Sequence, residues 1–317
     1  MILAGDIGGT RSRFYAIEGD KIVFEHVYSS KDYADFSEIV ADFVRKSGLK
    51  FSVCVFGIAG VVMNGRCKTT NLPWEVSIEE IKNAAGCKEG YLINDLSLLS
   101  YGISQLAHDQ FESLQDGQKK DGPMLVVCPG TGLGVACITQ KNPFLQILPT
   151  EAGHIDFPPT SRLEQELLND FYTQHEHVSI ERFVSGSGLM NVYKFLCKKE
   201  GIKPLYTSSE QITEAALSGS DQIAKKTIVF FWEMFASTLG NLALIYLPFQ
   251  GIYLCGSLLK KLYPFFDEKT FKERFSNKGR FKSTLENMPI YFVKEQKLAP
   301  LGTRAFIKNL KEMKHAG

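Results

Sequence analysis

The sequence predicts an α/β protein of two domains, each built around its own sheet. Three observations carry this. Strand-like and helix-like apolar patterns alternate along most of the chain. The segment 124-MLVVCPGTGLGVACIT-139 repeats the plan of 1-MILAGDIGGTRSRFYAI-17, an apolar strand, a glycine–threonine turn and a second apolar strand. The length of 317 residues exceeds that at which a single core usually stops growing. The repeated plan reads as a diverged internal duplication, without the short period of a solenoid.

The elements follow in order. β-rich runs at Met1 to Ile7, Ser12 to Ile17 and Lys21 to Tyr28, separated by Gly8-Gly9-Thr10 and Glu18-Gly19-Asp20, form an antiparallel meander. Tyr33, Phe36, Ile39, Val40, Phe43 and Val44 fall on one helix face that stops at Gly48, ahead of a buried strand, 51-FSVCVFGI-58. The strand 90-GYLIND-95 leads into an apolar helix that starts at Leu96 and runs toward Ala107. Residues 108 to 122 turn polar and read as a linker or surface excursion at the domain boundary. Beyond the second hairpin, helix patterns at 162 to 173, 187 to 199, 209 to 218 and 220 to 247 precede the strand 251-GIYLCG-256. A further helix and a terminal one, Thr303 to Met313, close the chain.

Composition narrows the function. Lysine and arginine total 36 against 35 acidic residues, which gives no electrostatic case for nucleic acid or an anionic membrane as partner and suits small polar substrates. No apolar run approaches the roughly 20 residues of a membrane span, and the N-terminus lacks a charged leader, so a soluble cytoplasmic protein is expected. The seven cysteines are odd in number and contain no CxxC, and they read as reduced and mostly structural.

Chemistry concentrates in the turns. Gly8-Gly9-Thr10 and Gly130-Thr131-Gly132 can each present backbone N–H groups and a hydroxyl to an anion, and together they could clasp a triphosphate. Neither matches the P-loop or the dinucleotide fingerprint, and one such turn alone would be an ordinary hairpin. Asp6 before the first turn would be repelled by a phosphate unless Mg²⁺, held directly or through water, intervened. Asp95 ends an apolar strand, where a general base for a sugar hydroxyl belongs; the same spacing equally suits a helix N-cap. The segment 149-PTEAGHIDFPP-159 gathers Glu151, His154 and Asp156. A zinc site there would need ligands that only 175-HEH-177 could offer. Glu181 is by pattern a solvated helix-face residue.

Read together, GDIGGTRSR at 5 to 13, GIAG at 57 to 60, TTNLPW at 69 to 74, INDL at 93 to 96, PGTGLGVA at 129 to 136, PTEAGHIDF at 149 to 157, ERFVSGSGL at 181 to 189 and NKGRFK at 277 to 282 resemble the bacterial glucokinase family. The resemblance runs almost end to end. It implies the actin-like ATPase architecture, two ribonuclease-H-like α/β domains with a cleft between them, residues 1–107 plus 298–317 forming the smaller and 108–297 the larger. It implies ATP-dependent phosphorylation of glucose to glucose 6-phosphate in the cytoplasm, by a homodimer, with glucose, ATP and Mg²⁺ as ligands and neither nucleic acid nor membrane as partner.

By the same resemblance Asp95 is the catalytic base, and Asn71, Asn94, Glu151, His154 and Glu181 join it in holding the sugar. Gly5, Asp6, Ile7, Gly8, Gly9 and Thr10, with Gly130, Thr131 and Gly132, cradle the ATP phosphates. Asp6 holds Mg²⁺ through water, and Gly256 lies near the adenosine. The chain departs from the family's commonest pattern at Arg11, Ala152, Ser187 and Cys255-Gly256-Ser257, and Arg11 could lie over a phosphate or point to solvent. Two other readings are a kinase for another hexose and a non-catalytic sugar sensor on the same fold.

Overall fold

The computed structural model describes residues 1–8, 11–69, 74–140, 143–295 and 297–316. By its internal contacts the chain divides into unit 1 (Met1–His108, Gln140–Pro149 and Lys297–Gly317) and unit 2 (Asp109–Thr139 and Thr150–Gln296).

Unit 1 grows from the N-terminal meander β1 (Ile2–Ile7), β2 (Arg11–Glu18) and β3 (Lys21–Ser29). Aromatic residues spaced for one face draw helix α1 (Phe36–Ser47) onto this sheet, with Phe14 ring centroids 5.6, 5.4 and 5.2 Å from those of Phe36, Phe43 and Phe56. Asp35 caps the helix by accepting the Glu38 N–H, and Gly48 ends it at φ 64°, a conformation glycine adopts without penalty. There follow β4 (Val53–Ile58), a small antiparallel sheet of β5 (Val62–Met63), β6 (Arg66–Lys68) and β7 (Glu75–Ser77), helix α2 (Ile78–Ala85), β8 (Glu89–Asn94) and helix α3 (Asp95–Ile103).

The main sheet runs β3-β2-β1-β4-β8, with β1, β4 and β8 parallel. Ile7 pairs with Ile58, and Ile58 with Asn94, so these three strands end side by side at one sheet edge. Loops that leave the carboxyl ends of parallel strands are where α/β sheets bind ligands.

Unit 2 repeats the plan. Its elements are β9 (Phe111–Gln115), β10 (Met124–Pro129), β11 (Leu133–Gln140), α4 (Arg162–Tyr172), α5 (Gly186–Lys199), α6 (Ser209–Ser218), α7 (Gln222–Tyr246), β13 (Ile252–Leu254), α8 (Ser257–Leu262), α9 (Glu268–Ser276), α10 (Lys282–Glu286) and β14 (Ile290–Val293); β12 (Gln146–Thr150) extends the same sheet, although its residues up to Pro149 group with unit 1. The sheet order is β12-β11-β10-β13-β14-β9. As in unit 1, an antiparallel hairpin (β10, β11) is continued by parallel strands (β13, β14). Helix α11 (Leu298–Ala316) returns to unit 1 and packs on α3.

Four sequence expectations change. The polar stretch 108 to 122 holds a strand, β9, because Leu114 and Gln115 are buried and Gln115 Nε2 donates to the carbonyls of Leu285 (2.8 Å) and Met288 (2.7 Å). Residues 140–149, expected in the larger domain, pack with unit 1, where Leu145 exchanges hydrogen bonds with the buried Asn309 amide (2.8 and 3.1 Å). The terminal helix begins earlier, at Leu298. Helix α7 is long and apolar enough to cross a membrane, contrary to the reading that no run approaches that length; 72% of an apolar 18-residue stretch within it is buried, and it forms the spine of the unit 2 core.

Candidate active site

In unit 2 the turn between β10 and β11 is closed by the Gly130 N–H donating to the Gly132 carbonyl at 2.7 Å. Its tip, Gly130 and Thr131, is exposed, and a Cβ added at Gly130 would meet nothing within 4 Å. Open space over an exposed glycine lets an anion approach the main chain, so the turn fits a phosphate.

Glu181, in the 3₁₀ turn Ile180–Arg182, closes on the flank of this turn. Its Oε2 accepts the Leu133 N–H at 2.7 Å, and its carboxyl carbon lies 2.7 Å from where a Gly132 Cβ would stand. A side chain at 132 would therefore displace the Glu181 carboxylate rather than strain the backbone. Glu151 precedes the 3₁₀ turn Ala152–His154 and His154 ends it; the turn packs on Leu133, where a Cβ at Gly153 would overlap the Leu133 carbonyl and come within 3.1 Å of Leu133 Cβ. Glu151 Oε2 and His154 Nε2 are 3.8 Å apart. Burial pushes the Glu151 carboxyl above its ordinary value, His154 opposes the shift and the charge of Glu181 adds to it. Three of the expected sugar-binding groups thus meet around Leu133, next to the second turn.

Gly256, at φ 108°, sits at the base of the same turn, with a Cβ there only 2.9 Å from Cys128 Sγ and 3.1 Å from the Pro129 carbonyl oxygen. Residue 256 is thus confined to glycine twice over, by its backbone and by its neighbours.

In unit 1 the choice left open for Asp95 resolves in favour of its neighbour. Asn94 is the N-cap of α3, its Oδ1 accepting the Ser97 N–H at 3.1 Å while its Nδ2 donates to the Gly60 carbonyl at 3.4 Å. A sugar hydroxyl would have to share an amide the fold already uses. Asp95 is the first helical residue, half-buried, with Oδ1 accepting the Leu96 N–H at 2.8 Å. Gly57 on β4 lets α3 approach, since a Cβ there would lie 3.2 Å from Asp95 Cα and 2.9 Å from Leu98 Cδ2.

The first turn leaves the same sheet edge. Gly5 and Ile7 are buried, Gly5 beneath the Phe56 ring, so only their main chain could reach a phosphate. Asp6 is half-buried opposite Arg13 on β2; burial raises its carboxyl above the ordinary value and Arg13 opposes the shift. A carboxylate short of solvent gains from a nearby cation, which suits a magnesium role. The Gly8 N–H donates to the Arg11 carbonyl at 3.1 Å, and Arg11 is exposed. Gly9, Thr10 and Asn71 lie outside the described residues. Among the described residues no group of three His, Cys, Asp or Glu gathers as a metal site, and His177 instead faces Asp156 at 3.2 Å.

Sequence reasoning missed the serines that hold both turns. Buried Ser30 donates to the Gly8 carbonyl at 2.9 Å and touches buried Ser12 at 3.0 Å. Ser185 caps α5, accepting the Gly188 N–H at 2.9 Å, and Ser187 donates to the Thr131 carbonyl at 3.0 Å. Ser185 carried a local signal, a serine shortly before an apolar-periodic run, and Ser187 stood out only as a departure from the family pattern.

The family model for glucokinase matches residues 3–310. A glucokinase of Hahella chejuensis is 34% identical over 311 residues, covering 97% of each chain. A solved glucokinase from an Antarctic psychrotroph has a TM-score of 0.80 at 28% identity, over 97% of this chain and 98% of that one. A ROK family glucokinase from Streptomyces griseus, in complex with glucose and AMPPNP, shares the fold at a TM-score of 0.66 and 18% identity, over 96% and 98% of the two chains. The match spans both units, from the first turn to the helix that closes unit 1, and the chain belongs to the glucokinase family.

Proposed function

We propose that this chain phosphorylates glucose to glucose 6-phosphate at the expense of ATP. The observation that carries the reading is the gathering of Glu181, Glu151 and His154 around Leu133, beside the open tip of Gly130 and Thr131. Carboxylates accept hydrogen bonds from hydroxyls, and a neutral imidazole both donates and accepts, so this cluster suits a polyol. An acceptor that lacked one of those hydroxyls would leave a partner unpaired and bind less well. Family membership points to glucose as the acceptor.

Asp95, at the carboxyl end of β8, accepts the proton of the sugar 6-hydroxyl as its oxygen attacks the γ-phosphorus. In each unit the main chain of the glycine turn serves the phosphates, and Asp6 meets the cation that accompanies them. Mg²⁺ bound with ATP supplies positive charge against the transferring group. The reading extends to a cytoplasmic homodimer, for which light scattering should return twice the chain mass.

The test is ADP release from Mg·ATP across a panel of hexoses, with Asp95→Asn in parallel. Glucose should give the highest kcat/KM. Asp95→Asn should lower kcat by about 10²- to 10⁴-fold. Glucose binding by calorimetry should be largely kept. Undiminished turnover in Asp95→Asn overturns the base assignment; failure of every sugar in the panel to give ADP release would favour a non-catalytic sugar-binding protein.

A further inference from the structure

The segment 181–188 grips the second turn at every residue. Glu181 takes the Leu133 N–H and lies against Gly132; the Gly186 N–H donates to the Gly130 carbonyl at 2.8 Å; and the Ser187 hydroxyl lies 3.0 Å from the Thr131 carbonyl oxygen. The protons of the two serines can be assigned. Ser185 Oγ stands 2.7 Å from the Glu181 carbonyl oxygen and 3.0 Å from Ser187 Oγ. Both carbonyls receive a hydroxyl donor within the protein when Ser185 donates to Glu181 and Ser187 donates to Thr131. Ser187 therefore spends its only proton on the turn.

We propose that Ser187 is a positioning residue for the nucleotide: its hydroxyl fixes the Thr131 carbonyl, and with it the orientation of the peptide groups at the tip that faces the phosphates. This rests on the reading of Gly130–Gly132 as a phosphate-binding turn. The bond does more than local tidying because its other end is the segment that carries Glu181. One rigid piece thereby holds both a sugar-binding carboxylate and the phosphate turn. Ser187 is also the informative member of the clamp, since it is exposed and its loss leaves no buried polar group stranded. Ser30, which holds Gly8 in the same manner, is buried, and its removal would disturb folding as well.

The experiment compares Ser187→Ala and Ser187→Thr with the wild-type chain by steady-state kinetics, melting temperature and hydrogen exchange of the 124–139 segment with and without Mg·AMPPNP. Loss of one exposed hydrogen bond should raise KM for ATP about three- to tenfold in Ser187→Ala. KM for glucose and the melting temperature should hold, exchange at the turn should quicken in the free protein, and Ser187→Thr should restore both readouts. If the wild-type segment is protected by Mg·AMPPNP yet Ser187→Ala leaves KM for ATP and exchange unchanged, Ser187 has no positioning role while the phosphate turn stands. If KM for glucose rises in step with KM for ATP, the effect is general loosening and the proposal falls. Absence of protection in the wild-type chain would remove the phosphate-turn reading, and this inference with it.

Discussion

Two glycines that flank the same residue should behave oppositely when a methyl group is added. A Cβ at Gly132 meets the end of the Glu181 side chain, which can swing away, whereas a Cβ at Gly153 meets the Leu133 carbonyl, which is main chain and cannot. Gly132→Ala should therefore fold with a melting temperature near wild type but break the 2.7 Å bond from the Leu133 N–H to Glu181. Hydrogen bonds to charged groups set the scale, so KM for glucose should rise about tenfold or more. Gly153→Ala should instead cost about 1–3 kcal/mol of stability as an overpacking change, read by urea denaturation. A stable Gly153→Ala chain, or a Gly132→Ala chain with unchanged sugar affinity, would contradict the geometry. The residue types of the site were legible in the sequence, because carboxylates, an imidazole and glycine-rich turns have recognisable chemistry. What Glu181 touches was not, because its partner lies 48 positions away and no local pattern announces that bond.

Among the elements, Lys278 of the motif NKGRFK joins a buried polar network. Buried Glu164 on α4 accepts the Thr160 N–H at 2.6 Å and the Thr160 hydroxyl at 2.9 Å, and pairs with Arg274 on α9. Lys278 reaches Ser237 on α7 at 3.3 Å, and Thr160 touches the same hydroxyl at 3.5 Å. Burial, reinforced by Arg274 and opposed by Glu164, holds the Lys278 ammonium below its ordinary value; burial also raises the Glu233 carboxyl, with Arg274 opposing the shift and Glu164 adding to it. This network pins the end of the segment that carries Glu151 and His154. Glu164→Ala alone should cost about 3–5 kcal/mol, because it strands a largely buried guanidinium. Pairing it with Arg274→Met should recover much of the loss in urea unfolding, since a charge is then no longer left without its partner. Equal destabilisation by the single and double variants would mean that Glu164 acts through Thr160 alone. The strand β9 escaped sequence reasoning for a related reason: it shows no alternation, its buried residues are the adjacent Leu114 and Gln115, and a buried glutamine reads as a surface residue until its carbonyl partners 170 and 173 positions away are known.

Across the whole molecule, the α/β class and the repeated strand–turn–strand plan were legible because strand and helix periods are local. Unit membership was only partly so. Residues 140–149 join unit 1 through side chains on α11, a contact that sequence distance conceals. Helix α11 also completes unit 1 by packing main chain against main chain on α3. A Cβ at Gly302 would overlap the Leu98 carbonyl oxygen and lie 3.2 Å from the Gly102 nitrogen, and a Cβ at Gly102 would lie 3.2 Å from the Gly302 nitrogen. Neither contact can be relieved by a side-chain rotation, so Gly302→Ala must push the helices apart. The cost should be about 1–3 kcal/mol, seen as a lowered melting temperature. Leu98 stands one turn along α3 from Asp95, so the displacement should carry the base with it and lower kcat even at temperatures where the variant is folded. Hydrogen exchange should locate the damage, with faster exchange in α3 and α11 while β10, β13 and α7 keep their protection. A Gly302→Ala chain with wild-type kcat and wild-type exchange in α3 would show that the two helices tolerate a wider spacing and that α11 does not position the base.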